Sequence, residues 1–163
     1  MVRVTVAHLG VDRATNTPVV ILREVEGERA LPIWIGRPEA NAIAMELQGV
    51  RPQRPMTHDL LKHLLSGLGG ELRRVHITGL RGDTYYAELL VFRAGDVFQV
   101  DARPSDSIAL ALRCNAPIFT SDELLDRAAS SEEERPPAPP EDADALRRYL
   151  EQLDPQDFGR FQP

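Results

Sequence analysis

A dense polar segment, Asp101-Ala102-Arg103-Pro104-Ser105-Asp106-Ser107, stands where a strand-like pattern ends and a helix-like pattern begins. The free N–H groups at the start of a helix attract phosphate, and an arginine binds phosphate through two parallel N–H groups. Two carboxylates can hold Mg²⁺ or Mn²⁺ through oxygen, and a bound ion of this kind activates water. The segment therefore contains the minimum set of groups for metal-assisted hydrolysis of a phosphodiester.

A purely structural interpretation of the same segment stays open. Asp106 falls in the first turn of the predicted helix, where an acidic residue stabilises the helix through its dipole. Asp101 can form an ion pair with Arg103 or with Arg37.

Thr57-His58-Asp59 is the second candidate, at the start of another predicted helix. Histidine exchanges a proton near neutral pH, so His58 can act as a general acid or base. Asp59 can complete a metal shell or orient the histidine. In the alternative interpretation, Thr57 caps the helix, Asp59 interacts with its dipole and His58 lies at the surface.

Arginines supply a third group of candidates. The segment RPQRP, with Arg51 and Arg54, and the pair Arg73-Arg74 are predicted to form a phosphate-binding surface together with Arg37 and Arg103. Binding by such a surface would depend on salt and not on base sequence.

The elements that must position these residues follow from periodicity. Alternating apolar residues predict a strand over 2–6. Strand-like segments bounded by turn residues follow over 18–25, 31–35, 72–80, 84–93 and 97–102, and Trp34 is expected in the core. Arg-Pro dipeptides open predicted helices at 37 and 103, and a third helix begins near Thr57, with five leucines on one face. Residues 117–120 are a short apolar extension before a last segment over 122–128.

Two parts of the chain resemble each other. Residues 35–47 and 101–112 both lead from a strand through Arg-Pro into a helix with Ile-Ala near its start, and a hairpin precedes each. We therefore predict an α+β fold. Its duplicated β-β-β-α units form one curled, largely antiparallel, barrel-like sheet with helices packed against it.

Composition separates a body from a tail. Residues 121–163 contain 12 acidic and 5 basic residues, whereas residues 1–120 are almost neutral. We predict a domain over 1–128, an acidic proline-rich linker over 129–142, and a C-terminal helix and tail over 143–163. No apolar run is long enough to cross a bilayer, and the single cysteine cannot form an internal disulfide. A cytoplasmic protein that does not span a membrane is expected.

The sequence resembles the bifunctional nuclease family in three blocks, LPIWIGRPEANAIAMELQG, RPQRPMTHDLL and VDARPSDSIALALRCNAPIF, which occur in the family's order. The resemblance covers about residues 1–128. It implies a duplicated fold, degradation of both DNA and RNA, and a site at the polar residues inside the matched blocks, which are Glu39, His58, Asp59, Asp101, Arg103, Ser105 and Asp106.

The main hypothesis is therefore a non-specific nuclease. Asp101 and Asp106, with Asp59 or Glu39, would hold a divalent metal, Mg²⁺ or Mn²⁺, that activates water. Arg103 would neutralise charge in the transition state, and His58 would protonate the leaving oxygen. The residues predicted to contact nucleic acid are Arg37, Arg51, Arg54 and Ser105.

The alternative hypothesis is a non-catalytic regulatory module that binds an anionic ligand or a protein partner. The near-neutral body favours it, because proteins that bind nucleic acid usually carry a clear basic excess. Under either hypothesis we expect a homo-oligomer, a dimer or larger, because the predicted sheet has exposed edges.

Overall fold

The computed structural model describes residues 1–130. Seven strands and four helices follow one another along this part of the chain. In chain order they are β1 (Val2–Asp12), β2 (Thr17–Glu24), β3 (Ala30–Trp34), α1 (Arg37–Leu47), α2 (Thr57–Gly67), β4 (Gly70–Arg81), β5 (Thr84–Arg93), β6 (Asp96–Ala102), α3 (Pro104–Cys114), β7 (Ile118–Thr120) and α4 (Asp122–Ser130).

The strands form one seven-stranded sheet in the order β3-β2-β1-β7-β4-β5-β6. Every neighbouring pair is antiparallel except β4 and β7, which are parallel. The predicted α+β fold with a largely antiparallel sheet is confirmed. The expected barrel-like closure does not form, because β3 and β6 are the two edges of an open sheet.

The two halves of the sheet have the same organisation. Strands β1–β3 lead through Arg37-Pro38 into α1, and strands β4–β6 lead through Arg103-Pro104 into α3. The three-residue strand β7 joins the halves by pairing with β1 on one side and β4 on the other. This arrangement agrees with the repeat seen in the sequence, and α1 and α3 pack against each other.

Small side chains let α1 and α3 approach closely. Alanines 40, 42 and 44 of α1 and alanines 109 and 111 of α3 are buried. They join a core of branched residues from both halves of the sheet, among them Leu22, Leu31, Val75 and Ile77. The close contact brings polar groups at the ends of the two helices within hydrogen-bonding distance.

Helix α4 closes the described part of the chain and contributes Leu125 to the core. Arg29, in the turn between β2 and β3, donates to Asp122 at 3.0 Å and to Asp126 at 2.7 Å, which ties α4 to this hairpin. The helix runs to Ser130, two residues into the predicted linker. The rest of that linker and the predicted C-terminal helix lie outside the described residues.

Two local expectations are wrong. Trp34 is not in the core: it is 46% exposed, and its indole Nε1–H donates to Asp12 Oδ2 at 3.1 Å. Thr57 does not cap α2, because Met56 occupies the N-cap position and Thr57 is already helical. The cap interaction comes instead from Asp59, whose Oδ2 accepts the Met56 N–H at 2.9 Å.

Candidate active site

Asp106 is the centre of the polar cluster that the structure forms. Its Oδ1 lies 3.0 Å from His58 Nε2, and its Oδ2 accepts from Arg103 Nε–H at 2.6 Å. Asp106 is in the first turn of α3, Arg103 is the N-cap of the same helix, and His58 comes from the first turn of α2. The two polar segments found in the sequence are therefore in direct contact.

Arg103 extends the cluster to the first half of the chain. Its Nη2–H donates to Glu39 Oε1 at 2.8 Å, and Glu39 lies in the first turn of α1. The beginnings of the two helices that follow Arg-Pro dipeptides are thus linked by one guanidinium. This linked set of Glu39, His58, Arg103 and Asp106 is called the His58 cluster below.

The electrostatics of the cluster follow from its hydrogen bonds. Burial opposes ionisation of Asp106, but the hydrogen bonds from Arg103 and His58 outweigh it, so the pKa of Asp106 lies below its ordinary value. Asp106 and then Glu39 raise the pKa of Arg103 above its ordinary value through their hydrogen bonds. At neutral pH the cluster contains an ionised carboxylate beside a charged guanidinium.

The ionised state of Asp106 also determines the proton on His58. An ionised carboxylate can only accept, so His58 Nε2 must carry the hydrogen that it shares with Asp106. In the neutral ring, Nδ1 is then the nitrogen that can take up a proton. His58 is only 7% exposed, whereas the Arg103 side chain is 66% exposed.

Asp59 makes a separate contact on the next position of α2. Its Oδ1 accepts from Arg113 Nε–H at 2.7 Å. Burial raises the pKa of Asp59, but the hydrogen bonds from the Met56 N–H and the Arg113 guanidinium lower it by more. The pKa of Asp59 therefore lies below its ordinary value. Asp59 therefore caps α2 and binds α2 to α3.

Arg113 is a structural residue that the sequence analysis missed. Only 5% of it is exposed, and its guanidinium also donates to the carbonyls of Ala109 at 2.9 Å and Ala42 at 3.1 Å. One side chain thus connects α1, α2 and α3 behind the His58 cluster. An arginine inside the apolar stripe of α3 is the only signal in the sequence, because its partners lie up to 71 positions away.

Asp101 is not part of the His58 cluster, although it stands two residues from Arg103. It is on strand β6 directly opposite Glu88 of β5, and it lines a cavity of about 480 Å³. The other charged residues that line this cavity are Arg81, Glu88, Glu123 and Arg127. The Arg81 guanidinium lies over the Tyr86 ring, 5.2 Å from its centre.

The four carboxylates predicted to bind metal are therefore divided among different places. Asp106 and Glu39 hold Arg103, Asp59 holds Arg113, and Asp101 lines the separate cavity. Within residues 1–130, no three histidine, cysteine or acidic side chains come together in a way that could hold a metal ion. The predicted ligand set does not fit a single metal site.

The residues predicted to contact nucleic acid differ in accessibility. Arg37 and Arg54 are exposed, and Arg51 is exposed while paired with Glu46 at 2.9 Å. Ser105 was expected to contact nucleic acid. Its side chain is instead buried in the first turn of α3 and is not accessible to a nucleic-acid backbone. Its backbone N–H belongs to the unpaired start of the helix, because Arg103 makes no side-chain cap.

Acid titration tests these pairings. Because folding lowers the pKa of Asp59 and Asp106, both contribute stability above the ordinary carboxyl pKa of 3.8 and lose it as the pH falls through their folded values. We expect the free energy of unfolding, measured in urea, to drop below about pH 4. An Asp106→Asn variant should show a shallower decline, and a slope equal to that of the wild type would contradict the pairing.

None of the helices in the described part of the chain is long and apolar enough to cross a membrane.

The part of the chain that contains the His58 cluster is similar to several known proteins. A family model described as the bifunctional nuclease domain matches residues 20–133. An uncharacterized protein of Mycobacterium tuberculosis is 43% identical over 164 residues, which cover 97% of this chain and 98% of that protein. Bifunctional nuclease 1 of Oryza sativa subsp. japonica is 29% identical over 110 residues, or 66% of this chain and 33% of the plant protein.

A further relative shows the same pattern of coverage. Bifunctional nuclease 2 of Arabidopsis thaliana is 30% identical over 108 residues, or 64% of this chain. This chain spans about a third of the plant proteins that it matches. All members of the His58 cluster lie inside the region that the family model matches. The chain therefore belongs to the bifunctional nuclease domain family.

Proposed function

We propose that this protein is a nuclease that hydrolyses phosphodiester bonds of DNA and RNA without sequence preference. The observation that carries the proposal is the His58–Asp106–Arg103 contact, which joins an acid–base pair to an exposed phosphate-binding group. Family membership supports the reaction class, and the plant relatives are named bifunctional nucleases.

His58 is the proposed acid–base residue. Asp106 holds its ring through Nε2–H, which leaves Nδ1 to take a proton from the attacking water and return one to the leaving oxygen. Asp106 also stabilises the charged ring that forms during the transfer. A positioned acid–base group of this kind accelerates a reaction about 10²- to 10⁴-fold.

Arg103 is the proposed phosphate-binding residue. Two of its N–H groups are held by Asp106 and Glu39, so its plane is fixed while its remaining donors face solvent. The backbone N–H groups at the start of α3 add to the attraction for phosphate. Arg37 and Arg54 are proposed to extend the contact along the nucleic-acid backbone, which has the same charge in DNA and RNA.

No step of this mechanism runs through a metal, because the predicted ligands do not meet. The divalent ion expected from the sequence, Mg²⁺ or Mn²⁺, remains a separate proposal that chelation tests. Cleavage that is lost in EDTA and restored by Mn²⁺ would support it, and cleavage unchanged in EDTA would contradict it.

The test of the nuclease is cleavage of supercoiled plasmid and of single-stranded RNA by the purified full chain. We expect nicking and RNA degradation by the wild type and a loss of at least about 100-fold in Arg103→Ala. Arg93→Ala is the matched control, because Arg93 is exposed at the end of β5 and outside the cluster. Equal activity in all three preparations would indicate a contaminant and contradict the assignment.

One observation favours the alternative of a non-catalytic module. The cavity around Asp101 is lined by two arginines and three carboxylates, and neither arginine makes an ion pair with a residue of the described chain. If the protein binds a small phosphorylated ligand there, a nucleoside monophosphate should raise its melting temperature saturably. That result without cleavage would replace the nuclease proposal.

A cytoplasmic homo-oligomer belongs to the same proposal. Support for self-association comes from the exposed apolar side chains of α2.

A further inference from the structure

Helix α2 turns its polar side toward the protein. His58 contacts Asp106, Asp59 contacts Arg113, and the Lys62 ammonium donates to the Arg113 carbonyl at 2.6 Å. Among the residues of α2, only His58 is buried. Hydrogen bonds and ion pairs therefore attach this helix to α3, with Leu65 packed against the edge of the core.

The opposite side of α2 is apolar and open. Leu60, Leu61, Leu64 and Leu68 are between 43% and 64% exposed. At 3.6 residues per turn these four leucines fall within an arc of about 100°, and no charged residue shares that arc. They are called the leucine arc below. Contiguous exposed apolar surface of this kind usually marks an interaction site.

We propose that the leucine arc is the interface between two copies of this chain, packed α2 against α2 about a two-fold axis. The proposal rests on the homo-oligomer proposed above and gives it a location, and it does not depend on the nuclease activity. In such an arrangement the same surface serves both copies, so an arc of four leucines, with the uncharged Thr57 at its N-terminal end, is complementary to itself.

The apolar area is of the size that a dimer requires at its centre. The exposed surface of the four leucines adds up to about that of two fully exposed leucine residues. A pair of α2 helices would therefore bury the surface of about four. A standard interface buries about 800 Å² per partner and has an apolar centre with a polar rim. The leucine arc supplies that centre, and the flanking polar residues of α2 supply the rim.

Charge favours a second copy over other occupants. Residues 1–120 are nearly neutral, and the chain's net charge of −6 comes from residues 121–163, so the bodies of two copies do not repel each other strongly at α2. The only lysine of α2 points inward to the Arg113 carbonyl, so no ammonium flanks the arc for an anionic lipid or nucleic acid. An uncharged apolar partner surface is required, and the arc of another copy is one.

The test is the mass of the full chain in solution, measured by sedimentation velocity from about 1 μM to about 100 μM. We expect a dimer for the wild type and a dissociation constant raised at least about 30-fold in Leu64→Asp. Val97→Asp is the matched control, because Val97 is a similarly exposed apolar residue on β6 and should leave the dimer intact. Circular dichroism confirms that each variant is folded.

Leu68→Asp, at the end of α2, provides a second variant if Leu64→Asp does not fold. A monomeric wild type over the whole range would overturn both the homo-oligomer and its location. A dimer that Leu64→Asp and Leu68→Asp leave intact would overturn the location alone. A dimer that dissociates in Val97→Asp but persists in the leucine variants would place the interface at the edge strand and would also overturn this proposal.

Discussion

Replacing His58 with asparagine is expected to lower cleavage of both DNA and RNA by at least about 100-fold. Asparagine cannot exchange a proton near neutral pH, and its amide nitrogen lies near the position of the imidazole Nδ1, not of Nε2. The variant therefore removes the acid–base function together with the Nε2 contact to Asp106, while the Lys62 and Asp59 contacts still tie α2 to α3. The measurement is the initial rate of plasmid nicking and RNA cleavage, with the melting temperature as a check on folding.

His63→Asn is the matched control for this prediction. His63 lies on the same helix but is exposed and outside the His58 cluster. We expect it to retain wild-type rates within a factor of about two to three. A folded His58→Asn variant that cleaves as fast as His63→Asn would show that His58 is a structural residue and not the acid–base group.

Asp106→Asn tests the partner of the same pair. A neutral amide cannot stabilise a charged imidazole ring, and its NH₂ group can hold the ring in the wrong tautomer. We expect a loss similar to that of His58→Asn. Because the two residues act as a unit, the double variant should be hardly slower than either single variant. Fully additive losses would mean that Asp106 acts on the reaction without His58.

Local patterns in the sequence were sufficient to predict most elements. The short apolar run of β2 predicted a strand over 18–25, and the structure has one over Thr17–Glu24. The two Arg-Pro dipeptides correctly predicted where α1 and α3 begin, because proline is well suited to the first turn of a helix. Strand β7 could not be recognised, since three residues have no period and its position depends on pairing with β1 and β4.

The contents of the cluster were harder to predict than its existence. Asp101 and Asp106 are close in the sequence, but Asp101 belongs to a strand and Asp106 to a helix that leaves it. Because the chain changes from strand to helix between them, the Asp101 side chain lines the cavity and the Asp106 side chain contacts His58. His58 contacts Asp106, and Glu39 contacts Arg103, only because the helices pack together, and no local sequence pattern encodes that packing.

The same reasoning explains why the leucine stripe of α2 did not reveal its orientation. An amphipathic pattern shows that a helix has an apolar side, but it does not show what covers that side. Here polar contacts made by residues about 50 positions away attach the other side to α3. Arg113 takes part in two of those three contacts, so its guanidinium should contribute strongly to the stability of the fold.

Arg113→Met is expected to lower the free energy of unfolding by roughly 3 kcal/mol, because it leaves the partly buried Asp59 carboxylate without its cation. Methionine keeps much of the volume and flexibility of the aliphatic stem, so the loss reports the guanidinium and not a cavity. The carbonyl of Ala42 also loses its donor. Urea unfolding at pH 7 measures the change.

Two comparisons isolate the cause of that loss. Arg51→Met removes an exposed arginine from its ion pair with Glu46 and should cost at most about 1 kcal/mol. Adding Asp59→Asn to Arg113→Met removes the unpaired charge, so the double variant should be more stable than Arg113→Met alone. If Arg113→Met costs no more than Arg51→Met, or if Asp59→Asn makes it worse, Asp59 and Arg113 are not the pair that holds α2 against α3. The position of His58 would then require another explanation.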